Sequence, residues 1–161
     1  MPSLKSLPKG SKSMRQHPIN PHIKSGPRSE LLIYLSRRRL PFLSRAYMLL
    51  LGCDIGIGLP KDTFLPHPQG IIIHSSSIIG SGVTIGHQVT IGGRDFEGGA
   101  PRIGDGVYIG AGAKILGPVS VGAGATIGAN AVITRDVPPA AIAVGANRIL
   151  DKPSPYALPS P

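Results

Sequence analysis

The chain has 161 residues, enough for one domain and not for two. Glycine (22) and proline (17) fill 39 positions, a share that would suggest low complexity if 41% of the chain were not hydrophobic. One cysteine excludes a disulfide scaffold and a multi-cysteine zinc site, no run of about 18 apolar residues is present to cross a membrane, and the formal net charge of +9 is carried by residues 1–45.

Residues 1–45 hold ten Lys and Arg side chains against one acid, Glu30, whereas residues 46–161 hold seven basic and seven acidic groups. The basicity therefore describes an arm and says little about the partner of the body. Residues 1–28 carry five prolines among Ser, Lys and Gln and read as a flexible basic tail, with no apolar core of a secretory signal. With the lone Cys53, this fits a reducing cytoplasm.

Residues 29–52 change character. Ser29 is placed to cap a helix whose apolar side is Leu31, Leu32 and Leu35; Pro41 should end or kink it. A second short helix from Phe42 should stop at Gly52. The two form a helical segment packing on the body, or, on the rival reading, a basic amphipathic helix lying on a membrane surface.

From residue 71 a period of six appears. Ile73, Ile79, Ile85, Ile91, Ile103, Ile109, Ile115, Val121, Ile127 and Ile133 are all β-branched, and glycine follows seven of the ten. Six is no multiple of the helical period, but it suits a short extended face followed by a turn. Three faces close a coil of 18 residues, which predicts that Ile73, Ile91, Ile109 and Ile127 stack at strand spacing, ~4.8 Å. A narrow prism also explains 19 isoleucines beside only seven aromatics. The fold expected over 53–150 is mainly β, a parallel β-helix of hexapeptide repeats. Residues 93–102 break the pattern with charge and read as a loop walling a site. Residues 151–161, with four prolines, read as a frayed, disordered tail.

The segments His67-Pro68-Gln69-Gly70-Ile71, Gln88-Val89-Thr90-Ile91-Gly92-Gly93, Ile103 to Gly117 and Ile127 to Pro138 together resemble the serine O-acetyltransferase branch of the hexapeptide-repeat acyltransferases. The resemblance spans about residues 53–150 and implies a left-handed coil. It also implies acetyl-CoA as co-substrate, no metal, and a cytoplasmic homotrimer that transfers acetyl to a hydroxyl, as in making O-acetylserine for cysteine biosynthesis. His67 matches the family's catalytic base, and imidazole suits proton removal near neutral pH. Asp54 resembles the carboxylate that orients the base, although its interval to His67, 13 residues, is two shorter than the family's; Asp62 is a second candidate. Gly93, Ala111 and Ala129 match the small residues along which the pantetheine arm lies. Arg135, Arg148 or Lys152 could meet the CoA phosphates.

Two positions depart from that pattern. Pro66 and Ala100 stand where serine enzymes carry an aspartate and a second histidine for the amino-acid acceptor. A sugar or cell-envelope alcohol therefore competes with serine as acceptor. His74 and His87 suggest a metal-dependent rival, but a zinc site needs a third ligand, and none follows at suitable spacing. The non-enzymatic alternative is a trimeric binding module whose basic arm meets an anionic surface or a nucleic acid. No nucleic-acid motif is present, and contact with a membrane would be at its surface only.

Overall fold

A computed structural model describes residues 15–16, 24–38, 41–93, 99–151 and 153–156. Most of the expected basic tail, the centre of the 93–102 loop, Lys152 and residues 157–161 lie outside the described residues.

The hexads form the expected β-helix, left-handed and wound from short parallel strands. On the first face, Ile55, Ile73, Ile91, Ile115 and Ile133 stand in register. The second face aligns Ile79, Ile103 and Val121. The third aligns Ile85, Ile109, Ile127 and Ala143. All of these side chains are buried, so the core is one aliphatic column along the prism axis.

The register corrects one expectation. Ile109 and Ile127 stack on Ile85, not on Ile73 and Ile91. Normally six residues separate one face from the next, but Ile91 and Ile103 are twelve apart. The loop at the corner takes six residues, which preserves the hexad rhythm in sequence and shifts it by one face in space.

Glycine after the inward aliphatic is set by coil spacing. A Cβ on Gly110 would lie 2.5 Å from the Ala129 amide nitrogen in the next coil. Among the described residues, four with positive φ are not glycine: Gln88 (56°), Asn130 (54°), Ala140 (55°) and Asn147 (60°).

Helix α1 (Pro27–Arg38) and helix α2 (Pro41–Leu50) lie beside the first coil. Leu32, Ile33 and Leu35 are buried. Helix α1 begins two residues before Ser29, which is not its cap. Instead, the buried Ser29 hydroxyl donates to the Leu65 carbonyl at 2.6 Å, tying α1 to the coil. Ser25, paired antiparallel with Arg15 in a short ladder, accepts the Leu65 N–H at 2.9 Å.

At the other end, the chain reverses at Asn147 (φ 60°), and Arg148–Leu150 pairs antiparallel with Ile142–Val144. The segment expected to fray from residue 151 is anchored where it is described. Ser154 is buried, its N–H donates to the Ala140 carbonyl at 2.7 Å, and its hydroxyl meets that of Thr126. Tyr156 stacks on Tyr108 with centroids 4.5 Å apart. Proline removes donors but does not prevent such side-chain anchoring.

Candidate functional site

One prism edge, where the third face turns into the first, carries several of the expected groups. In each later coil, three residues make this turn: Gly86–Gln88, Gly110–Gly112 and Gly128–Asn130. In the first coil, five do, Pro66–Gly70. The two extra residues push out an exposed His67 between two prolines. The first coil recovers them elsewhere, since Ile55 to Leu65 is ten residues where Ile73 to Ile85 is twelve. That exchange accounts for the short Asp54 to His67 interval while Ile55 keeps its register with Ile73.

Backbone hydrogen bonds fix the column below this turn. Gln88 N–H donates to Gln69 O, Gly112 N–H to His87 O, and Asn130 N–H to Ala111 O, each at 2.8 Å. Gln69, His87, Ala111 and Ala129 are thus equivalent positions of successive coils. The rings of His67 and His87 meet edge to face with centroids 6.0 Å apart. Ala111 and Ala129 leave the lower part of the edge without large side chains.

Cys53 holds the widened turn from beneath. Its buried thiol donates to Pro68 O at 3.3 Å and accepts the Ile71 N–H at 3.4 Å. Burial raises the thiol pKa, outweighing the lowering by the Ile71 and Gly70 amides, so it stays protonated and able to donate at neutral pH. Gly70 N–H donates to Leu51 O at 3.0 Å, which joins the same turn to the end of α2.

The candidate carboxylates differ in placement. Asp54 is exposed on the first face, and its N–H donates to Ile71 O, one residue past the turn. Among the described residues, no hydrogen bond or ion pair joins it to His67. It faces a cleft of 520 Å³ shared with Ser36, Ser44, Arg45 and Ser75. Asp62 lies at another corner, where its carboxylate accepts from the Ser81 hydroxyl and, at 2.9 Å, from Gly82 N–H. It fixes a turn there and is not brought to His67.

The expected donor-side residues divide between two edges. Gly93 lies where the first face meets the second, directly against His74; a Cβ there would be 3.0 Å from His74 Nδ1. His74 Nδ1 accepts the Ser76 N–H at 3.2 Å, a turn contact. His74 and His87 are therefore not brought together with a third ligand, and no group of three His, Cys, Asp or Glu converges among the described residues. Arg135 and Arg148 are exposed at the C-terminal end of the prism. Each follows one member of the bonded pair Thr134 and Asn147, in which Asn147 Oδ1 accepts Thr134 N–H at 2.7 Å.

Sequence reasoning did not find the contact of His87 with His67, nor the thiol under the turn. The signal for His87 was available: counting the loop as one missing face aligns Gln69, His87, Ala111 and Ala129. No sequence period could reveal Cys53, which acts on a turn outside the repeat.

Comparison with known proteins agrees with this architecture. Residues 100–135 match the family described as bacterial transferase hexapeptide (six repeats). No curated protein sequence matches. Soybean serine acetyltransferase, solved in complex with serine, is 36% identical over 75% of this chain and 54% of its own, with a TM-score of 0.58. The Neisseria gonorrhoeae serine acetyltransferase is also 36% identical, over 80% of this chain and 51% of its own, at 0.58. The Brucella abortus enzyme is 28% identical over 77% and 54%, at 0.59. The chain spans about half the length of these structures.

Proposed function

Because the chain is a hexapeptide-repeat β-helix of serine acetyltransferase-like architecture, we propose that it transfers acetyl from acetyl-CoA to an alcohol, with L-serine the first acceptor to test. The observation that carries this reading is the exposed His67 on a widened, proline-flanked turn at the head of an edge that continues through His87, Ala111 and Ala129.

The chemistry asks little of the protein, because the thioester is already activated. The neutral His67 imidazole takes the proton of the acceptor hydroxyl as its oxygen attacks the acetyl carbonyl. The resulting tetrahedral centre expels the CoA sulfur, which receives the proton back from the imidazolium. Positioning two substrates and supplying one base account for such catalysis. Asp54, bonded through its backbone beside the turn, is proposed to steady the imidazolium.

Ala111 and Ala129 would border the pantetheine arm, and Arg135 and Arg148 would meet the CoA phosphates. Gly93 lies on a different edge of the same prism, so the proposal includes a homotrimer that brings one protomer's loop edge to its neighbour's His67 edge. The outer first face supports self-association, with Ile72, Leu116 and Val132 exposed. Among the described residues, no helix is long and apolar enough to cross a membrane. The proposed compartment is the cytoplasm, in keeping with a single buried cysteine.

A second reading rests on Pro66 and Ala100. Neither side chain offers a carboxylate or a donor to an amino acid, which keeps a sugar or cell-envelope alcohol as the competing acceptor. Release of CoA from acetyl-CoA, followed with L-serine and with a panel of hydroxylated sugars, separates the two. Release with serine supports the first reading and release with a sugar alone the second. No release with any acceptor overturns the enzyme.

A further inference from the structure

Helix α2 is apolar on both sides. Its inner side follows from the fold: Ser44 is buried, and Tyr47 and Met48 pack against the core. The outer side has no such cause. Phe42, Leu43, Leu49 and Leu50 are 88%, 56%, 81% and 78% exposed. With the exposed Ala46, they recur at helical spacing and make one stripe facing away from the prism. Leaving four large apolar side chains in water opposes folding and solubility, and such stripes mark a contact.

The charge of the stripe and of the sequence before it selects the partner. In the sequence, Arg37, Arg38 and Arg39 precede α2 with only Leu40 between; Arg37 donates to Leu59 O at 3.3 Å, and the exposed Arg45 lies within α2. Residues 27–50 hold five arginines against Glu30 alone, and the sequence before them adds Lys5, Lys9, Lys12, Arg15 and Lys24. A second copy laid on this stripe would bring like charges together, which disfavours self-association. A nucleic acid would satisfy the arginines and leave the leucines in water. An anionic bilayer supplies both halves: acyl chains for the stripe and headgroups for the arginines.

We propose that the outer face of α2, with the arginines that precede it, docks the protein on an anionic lipid bilayer. The docking is peripheral and does not depend on the catalytic reading. Phe42, Leu49 and Leu50 enter the headgroup boundary while the basic groups pair with lipid phosphates. The prism then stands on the membrane at its first-coil end, the end that carries His67.

The test is co-sedimentation of the full chain with vesicles of phosphatidylglycerol and phosphatidylcholine, against vesicles of phosphatidylcholine alone. Binding should require the anionic lipid and weaken as salt rises. A Leu49→Ser/Leu50→Ser variant should bind at least about tenfold more weakly, and Arg38→Gln/Arg39→Gln about thirtyfold more weakly. Both should keep the wild-type circular dichroism, since Leu49 and Leu50 are exposed. Failure to bind anionic vesicles at low salt overturns the proposal. Binding unaffected by the leucine change overturns it too. A smaller sedimentation coefficient for the leucine variant without lipid would assign the stripe to contact between copies instead.

Discussion

The rings of His67 and His87 meet edge to face, their centroids 6.0 Å apart and their planes inclined by 75°. One belongs to the widened turn of the first coil and the other to the regular turn of the next, so the β-helix itself sets their separation. His67 is exposed, whereas His87 is half-buried. The more confined ring limits the positions open to the freer one.

Removing that limit should cost orientation of the proposed base. An aromatic edge contact contributes about 0.5–1.5 kcal/mol, so His87→Ala should lower kcat/KM for the acetyl acceptor by about two- to tenfold. His87→Phe should restore much of the loss, because it keeps a ring edge. Steady-state kinetics of CoA release on the three proteins checks this. Equal loss in His87→Ala and His87→Phe would give His87 a polar role instead.

Cys53→Ala should destabilise the fold by about 1–3 kcal/mol, because it leaves the Ile71 N–H and Pro68 O without the thiol. Urea unfolding measures the change. The pH dependence has a definite sign. Burial raises the folded thiol pKa above its usual 9.0, so its contribution is complete below pH 9 and is lost as pH rises through the folded value. The variant should therefore lose less stability above pH 9 than the wild type.

Gly110→Ala should unfold at lower urea by about 1–3 kcal/mol, since the added methyl meets the Ala129 backbone and neither strand can yield without breaking the ladder. Gly82→Ala has open space around its Cβ, but φ is 65° there, so its cost is strain alone, of order 1 kcal/mol.

The C-terminal anchor is tested by Tyr156→Ala. Loss of the stack on Tyr108 should reduce stability by about 0.5–1.5 kcal/mol and alter the near-ultraviolet circular dichroism. An unchanged spectrum would mean that residues 153–156 do not hold this position in solution.

Much of the fold was legible in the sequence, because a solenoid writes its period into the chain. Ile73, Ile91 and Ile133 could be placed inward by counting alone, and the glycine after Ile109 is required by the coil packed beside it. Counting failed at residues 93–102: a loop of six keeps the rhythm while rotating the face, which moved Ile109 and Ile127 to another wall. Ser29 was misread because capping is local, whereas its hydroxyl serves Leu65, a partner 36 residues away. Of the site, His67 was legible through the resemblance of its segment, His67-Pro68-Gln69-Gly70-Ile71, to the family's. Its ring partner depends on the stacking of coils, which periodicity shows only once the loop is counted correctly, and the thiol beneath it serves a turn outside the repeat, which no period marks.

His67 is proposed as the base for acetyl transfer. The decisive comparison is CoA release by wild type and by His67→Ala, with the acceptor that wild type uses best. General-base catalysis contributes about 10²–10⁴-fold, so the variant should retain wild-type unfolding in urea and lose activity by that factor. Activity within about twofold of wild type, in a variant that folds normally, would mean that another group takes the proton.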